Sequence, residues 1–577
     1  MTSRNDIYDK LIELAKKRGI FWNSFEIYGG VAGFYDLGPI GVLIKRNIID
    51  MWLRSFVYSN ELVVEIETPM INPRIVFEAS GHEEHFTDPV LECSKCGRIY
   101  RADHLIKEVA GINVEGFAIN ELKEIITKNN IKCPECGGEF NDPFSALLLF
   151  RTEIGPYKGE VAYLRPEHAQ GMFINFANIL RITRNKLPIG IAQVGKVARN
   201  EISPRQGLLR LREFTIMEFE FFFDPSDNNT IFDYIDDVKD EKLRIITVEL
   251  REKGIEEPLE LTVQELIDKN IVKTPWLAYW MGVGNVFLKG LGIPDERIRF
   301  VEKLPHERAH YSAQTFDQEV YTLKYGWIEV AGYAYRTTYD LERHMKHSNA
   351  DLTYFRKYDV PVEKTIGRAY PNPAMIREIY REKFNAVMDK LSRITPEEVY
   401  EQLMRKGYVE IEDIVIPSNC FYVKSEKVKI YGEKIIPHVV EPSFGLERLL
   451  YVVIENAYTE RDDKVVLKLP KSIAPYHVAV FPLVTGNKPE HRKMVLIANE
   501  IYKELVSKGF RTIYDESGSI GRRYARSDEI GIPYAITVDY QTLEDNTVTV
   551  RDRDTTLQER ISRFELINYL RAKFNYI

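Results

Sequence analysis

No apolar run in this sequence approaches the ~18 residues that a membrane-spanning helix requires, so no membrane partner is expected. The N-terminal stretch Met1–Ile20 lacks the uninterrupted apolar core of a secretion signal. It is charged and amphipathic instead, with Ile7, Leu11 and Leu14 at helical spacing. A cytoplasmic location is the expectation. Excess positive charge is also missing: the net charge is −8, which gives no support for a nucleic-acid partner. It does not exclude one, because a local basic surface suffices. Repeats and low-complexity tracts are absent. Cysteines are scarce, five in 577 residues, so the chain is no disulfide scaffold. Four of them nevertheless form two CxxC pairs, Cys93/Cys96 and Cys133/Cys136, and Cys420 stands alone. In a large chain of this kind such pairs read as metal ligands.

The length predicts three or four domains. Residues 1–92 alternate helical and strand patterns, with a long helix over Gly41–Val57, a strand over Leu62–Thr68 and a stop at Pro69. Residues 93–136 form an insert bounded by the cysteine pairs. Strand-like runs fill 137–224 and end in Phe219–Phe223. Charged helical inserts are expected over 225–325 and 345–430, separated by a core segment, 326–344, holding a short strand at Trp327–Ala331. Residues 431–468 return to core pattern. Leu469–Pro475 carries two prolines and reads as a linker. Regular α/β alternation then fills 475–577: strands at Val478–Val484, Arg511–Tyr514, Tyr534–Val538 and Thr547–Val550, and helices at Pro489–Lys508, Ile520–Ile530 and Arg560–Phe574. That is about a hundred residues, an ordinary domain size.

The stretch with most chemistry is Val194–Phe223, VGKVARNEISPRQGLLRLREFTIMEFEFFF. It reads as strand, polar loop, strand. Arg199 and Glu201 alternate on the first strand, and Arg210, Phe214 and Glu218 recur at four-residue spacing on the second. Two arginines, a ring and two carboxylates on one sheet face suit phosphate oxygens, a stacked base, and an amine or Mg²⁺. A solvent-facing hairpin laced by surface ion pairs is the alternative. Their order, R-x-E, loop, R-x-x-x-F-x-x-x-E, resembles motif 2 of the class II aminoacyl-tRNA synthetases. His438–Ile454, HVVEPSFGLERLLYVVI, resembles motif 3, and Gly41–Pro69 resembles motif 1, which forms the dimer interface in that class.

Further blocks resemble the glycyl-tRNA synthetases of the archaeal and eukaryotic homodimeric type: YDLGPIG (Tyr35–Gly41), EASGHEEHFTD (Glu78–Asp88), RADH (Arg101–His104), LRPEHAQGMF (Leu164–Phe173), GWIEVAGYAYRTTYDL (Gly326–Leu341) and EPSFGLER. The likeness covers nearly the whole chain. It implies an α+β catalytic domain around an antiparallel sheet flanked by helices, an α/β anticodon-binding domain at the C-terminus, and a homodimer acting on tRNA(Gly). By resemblance, Glu167, Glu218 and Glu441 surround the glycine ammonium, Ser443 lies against the α-carbon, and Arg336 and Arg101 lie near the carboxylate or a phosphate. ATP falls to Arg199, Asn200, Glu201, Arg210, Arg212, Phe214, Ile328, Glu329, Gly445 and Arg448, with Arg199 and Arg448 as the catalytic cations and Glu329 on the ATP or Mg²⁺ side. Two departures stand out: His168 where the family has threonine, and Tyr335 where it has aspartate. Glycine offers no side chain, so its two charged groups must supply the binding energy. Larger amino acids are excluded by bulk, and no editing domain is expected.

The two CxxC pairs are separated by residues 97–132, and a glycine follows each. Four thiolates suit a closed tetrahedral Zn²⁺ site; an iron–sulfur site is the less favoured alternative. In the C-terminal domain Arg511, Arg522, Arg523 and Arg526 form a basic cluster suited to RNA. Rival readings are a threonyl- or prolyl-type enzyme, against which Glu441 with Ser443 argues, a zinc-dependent nucleic-acid binder, which explains only the cysteines, and a non-catalytic RNA-binding paralogue, which would be expected to lack Arg199, Phe214 or Arg448.

Overall fold

The computed structural model describes residues 4–574 except 113, 115, 158, 205, 228, 413 and 463. Met1–Ser3, the start of the N-terminal helix expectation, lie outside the described residues; a helix runs over Arg4–Arg18. Contacts divide the chain into two compact units, Met1–Leu352 with Pro437–Ile577, and Thr353–Ile436.

The first unit is built on a nine-stranded sheet. In chain order its strands are β1 (Val63–Glu65), β2 (Ile189–Ala198), β3 (Glu213–Phe223), β4 (Lys242–Ile246), β5 (Leu259–Thr262), β6 (Ile298–Glu302), β7 (Gln314–Thr322), β8 (Gly326–Thr337) and β9 (His438–Gly445). Their spatial order is β5-β4-β6-β7-β8-β9-β3-β2-β1. The run from β6 to β2 is antiparallel throughout; only β1 against β2 and β4 against β6 are parallel.

β3 is buried almost from end to end because helices cover both of its faces. Alternation sends Phe219 and Phe221 to one side, where they meet Trp280 and Trp276 of helix Pro275–Gly290 with ring centroids 4.7 and 4.6 Å apart. Phe222 points the other way, 4.4 Å from Phe176 of helix Ala169–Ile182. Glu218 and Glu220 share the Phe222 face, so two carboxylates are carried into the interior by strand periodicity alone.

Several expectations are corrected. Residues 225–325 are no insert: they supply β4 to β7 and helix Pro275–Gly290, whose tryptophans fill the main core. β2 stops at Ala198 and β3 begins at Glu213, so Arg199, Glu201 and Arg210 lie on the connecting loop rather than on strands. β1 covers only Val63–Glu65 of the expected Leu62–Thr68, and the core strand extends to Thr337. Leu469–Pro475 is packed, not a free linker: Leu469, Ile473 and Ala474 are fully buried, and Asn47 donates to the carbonyls of Ile473 and Ala474 at 3.0 and 2.8 Å.

The cysteine-bounded segment contributes the strand Ile99–Arg101 and two short helices, Ala102–Ala110 and Ile119–Lys128; the flanking Thr87–Glu92 and Phe144–Leu147 complete a three-stranded sheet. The C-terminal sheet runs Thr512–Tyr514, Val478–Pro482, Tyr534–Val538, Thr547–Asp552, Gln558–Ser562, the first three parallel. Its last strand takes residues expected to be helical, and the final helix spans Leu566–Phe574. Among the described residues the second unit holds a long two-stranded ribbon, Tyr354–Pro371 against Phe421–Ile435, a short hairpin, Tyr408–Ile411 against Ile414–Pro417, three α-helices and its own core.

Candidate active site

The cavity-facing edge of β3, β8 and β9 opens into a cavity of about 550 Å³. Phe214, Ile216 and Glu218 line it from β3, Gly332 and Ala334 from β8, and Glu441, Ser443 and Gly445 from β9. Period-two alternation explains the β3 and β9 sets, whereas β8 lines the cavity with the unbroken run Glu329–Ala334. Arg199, Glu201 and Arg210 reach it from the β2–β3 loop, Arg448 from the helix Leu446–Ala457, and Arg101 and Glu167 from elsewhere in the unit.

One end of the cavity is acidic. The Ser443 hydroxyl donates to Glu218 Oε2 at 2.7 Å, and the backbone N–H of His168 donates to the other oxygen. Burial and the neighbouring Glu167 push Glu218 above the usual carboxylate range. Burial would raise Glu167 too, but His82, Arg336 and Arg199 hold it well below. Glu441 is pushed up to about 8 by burial, Arg336 pulling down while Glu167 and Glu218 push up. His168 is buried between the carbonyls of Gly195 and Ile216, and burial depresses it to about 3, leaving a neutral ring.

The other end is cationic. Arg199 donates from Nε to the carbonyl of Pro166 at 3.0 Å, and its guanidinium lies 5.3 Å from the centroid of Phe214. Arg448 is braced on the carbonyls of Leu209 and Glu329 at 3.0 and 2.8 Å. Arg210 pairs with Glu201 at 2.7 Å, and Arg101 pairs with Asp103 and Asp88 at 2.8 and 3.0 Å. A cation-rich face next to a carboxylate-rich face suits a polyanion held beside a small ammonium.

Residues 150–457 match the tRNA synthetase class II core domain (G, H, P, S and T), and residues 477–573 match the anticodon binding domain. The glycine–tRNA ligase of Aeropyrum pernix is 49% identical over 98% of this chain and 96% of its own. That of Pyrococcus furiosus is 49% identical over 96% of this chain and 97% of its own. This chain belongs to the glycine–tRNA ligase family. Among solved structures, the prolyl-tRNA synthetase of Giardia lamblia with prolyl-adenylate gives a TM-score of 0.54 at 14% identity, covering 98% of this chain and 75% of that one. At that identity the likeness shows the shared fold.

Four of the expected site residues of this ligase do not line the cavity. Asn200 is fixed through its backbone N–H to Leu148, Arg212 reaches the carbonyl of Ala32, and Ile328 packs on the core. Arg336, expected near the substrate carboxylate, is fully buried beneath the floor, bound to Asp340 at 2.8 and 2.9 Å and to Glu441 at 2.9 Å. Tyr335, the departure beside it, points its hydroxyl to His438 Nδ1 instead.

Sequence reasoning missed Tyr311, Asp317, Lys303, His104, Gln206 and Glu447, all on the cavity wall. Glu447 lies in the quoted EPSFGLER block; it accepts from the Thr215 backbone N–H and hydroxyl at 2.7 and 3.0 Å, tying helix to β3.

The four paired cysteines bring their sulfurs within 4.8 Å of one another. Cys93 also receives backbone N–H groups of Cys96 and Lys95, and Cys133 those of Glu135 and Cys136. Gly97 and Gly137 adopt φ of 66° and 67°, a left-handed turn that lets each loop fold over its sulfurs. The donor set fits a closed tetrahedral site. The C-terminal basic cluster is dispersed: Arg523 is buried, donating to the carbonyls of Glu516 and Gly518 at 3.0 and 2.7 Å, and Arg526 pairs with Asp515 at 2.6 Å.

Proposed function

We propose that the chain activates glycine with ATP, releasing pyrophosphate, and transfers the glycyl group to the 3′ end of tRNA(Gly). The observation that carries this reading is the convergence of Glu167, Glu218 and Glu441 beside the small Ser443, in the same cavity as Arg199 and Phe214. The three carboxylates take the ammonium. Ser443, bonded to Glu218, closes the space a larger side chain would need. Phe214 stacks on adenine with Glu201 near its amino group. Arg199 meets the α-phosphate, and Arg210 and Arg448 the outer phosphates, with Gly445 leaving room beside Arg448.

The glycine carboxylate is ionised at neutral pH, so its oxygen attacks the α-phosphorus without a general base and the bond to pyrophosphate breaks. The residues act by alignment and charge neutralisation. Mg²⁺, an oxygen-seeking ion, suits the carboxylates of Glu329 and Asp317 on the same wall, where it would offset phosphate charge. Zn²⁺ on Cys93, Cys96, Cys133 and Cys136 is structural. A homodimer joined through the Gly41–Pro69 region and a cytoplasmic location complete the reading; among the described residues no helix is long and apolar enough to cross a membrane.

The test is ATP–pyrophosphate exchange by the purified chain against a panel of amino acids. Exchange with glycine alone is expected. Exchange with proline, threonine or serine would refute the pocket assignment, and none at all would favour a non-catalytic RNA-binding paralogue.

A further inference from the structure

Arg336 is the extra residue of a bulge: Tyr335 pairs with Val440 and Thr337 with Val439, leaving Arg336 between them. Thr337 then turns with φ of 55°, a left-handed conformation disfavoured for a β-branched residue. Bulges re-aim side chains, and local strain persists only where its surroundings enforce it. The turn brings Asp340, in the first turn of helix Tyr339–Ser348, back onto Arg336. Asp340 receives Nε and Nη2 in a two-pronged pair at 2.8 and 2.9 Å. Tyr311 stacks over the guanidinium with its centroid 3.6 Å away.

The remaining charged neighbours of Arg336 are the pocket carboxylates Glu441 and Glu167, and Glu220, which lies outside the cavity lining. Glu441 accepts from Nη1 at 2.9 Å, Glu167 lies 3.8 Å from Nη2 and Glu220 3.9 Å from Nη1. One buried cation therefore stands behind several acids meant for another cation. Asp340 lies outside the cavity lining, and it is anchored from behind. Gln170 donates to Asp340 Oδ1 at 3.0 Å and to Glu167 Oε1 at 3.3 Å, and His344 Nε2 lies 2.8 Å from Gln170 Oε1. This chain of bonds fixes Asp340 and Glu167 relative to each other.

We propose that Asp340 is a positioning residue of the ammonium subsite: by offsetting the charge of Arg336 at Nε and Nη2 it keeps Glu167, and Glu441 despite its own bond to Nη1, attractive to the substrate amine. Without its charge, Arg336 turns its field fully onto those two carboxylates, and a bound ammonium gains less from them. The inference rests on the glycine-activating reading above.

The test uses the full chain in pyrophosphate exchange. Asp340→Asn, nearly the same shape without the charge, should raise the glycine KM about tenfold while the ATP KM stays within about twofold. Gln170→Leu leaves Asp340 charged but loosens both it and Glu167, and should raise the glycine KM about threefold. A purely structural role predicts a loss of active enzyme with both KM values unmoved. An unchanged glycine KM in both variants, or glycine and ATP KM values rising together, overturns the proposal. If Asp340→Asn does not fold, Asp340→Glu, which keeps the charge on a longer arm, takes its place: a glycine KM raised with the ATP KM unmoved supports the proposal and an unchanged glycine KM overturns it. Failure of the wild-type chain to exchange with glycine would strike the functional reading instead.

Discussion

Glu218 and Ser443 stand opposite each other on adjacent antiparallel strands, and the Ser443 hydroxyl donates to Glu218 Oε2 at 2.7 Å. With the His168 backbone N–H on the other oxygen, this carboxylate is a fixed acceptor rather than a swinging side chain. Ser443→Ala removes one hydrogen bond to the group, a loss of about 1.5–3 kcal/mol where the acceptor is charged. The glycine KM is expected to rise about tenfold or more in pyrophosphate exchange, with a smaller change in kcat. An unchanged KM would show that the serine is there only for its size.

Arg199 makes no ion pair among the described residues; its Nε is bonded to the neutral carbonyl of Pro166. It is therefore locked in no direct ion pair, unlike Arg210 or Arg101. Arg199→Ala is expected to lower kcat/KM for exchange by about 10³, the usual loss for a preorganised donor at a developing charge. Lysine should recover little, because it lacks the planar fork. A loss under tenfold in steady-state kinetics would remove Arg199 from the reaction.

Glu441 supplies a pH dependence. Burial lifts it to about 8, against the pull of Arg336. The folded chain thus keeps a proton that the unfolded chain, with a carboxylate near pKa ~4.3, has already released. That contribution to stability is present below the unfolded value and is lost as pH rises through about 8. Asp317, raised to about 8 by burial and by Glu329, acts with the same sign. Glu441→Gln should therefore gain in melting temperature relative to the wild type as pH goes from about 6 to about 8.5. An ammonium needs the ionised form, so the wild-type glycine KM should fall over the same interval. Flat profiles for both would mean that Glu441 is already ionised in the free enzyme.

Where function repeats at strand spacing, the sequence is readable. Phe214 and Glu218, four apart on β3, and Glu441 with Ser443, two apart on β9, reach the cavity because alternation forces them to one face. Cys93, Cys96, Cys133 and Cys136 are legible for a different reason, since few other roles need that spacing. Tyr311, Lys303 and Asp317 carry no such signature: they arrive from β7 and the loop preceding it, a region whose charge hides its place in the sheet. Arg336 is expected from the sequence near the substrate carboxylate or a phosphate; its engagement by Asp340 is not legible there, because Asp340 reaches it only through the bulge at the end of β8.

The cysteine site can be tested by metal content. The purified chain should hold about one zinc, released by a thiol-modifying reagent. Cys133→Ser should lower that stoichiometry and the melting temperature together. Arg101 ends a strand of the same small sheet and lines the cavity, so the variant should also weaken ATP binding in exchange assays. Full zinc content in Cys133→Ser would exclude the four-sulfur site.

Arg522 and Arg523 are neighbours in the sequence with opposite fates in the fold. Arg522 is exposed on the helix Ile520–Glu529. Arg523 is buried, and its guanidinium is spent on the carbonyls of Pro482, Glu516 and Gly518. Arg523→Ala takes the donor from the buried Pro482 carbonyl and from the two part-buried ones, and should cost the C-terminal domain about 1–3 kcal/mol. Arg522→Ala should leave the melting temperature unchanged and weaken tRNA binding a fewfold, more at low salt than at high, as expected for a phosphate contact. Thermal unfolding beside filter binding at two salt concentrations separates the two. If Arg522→Ala binds tRNA like the wild type at both salts, the RNA path lies on another face of the domain, and the basic run in the sequence is there for folding alone.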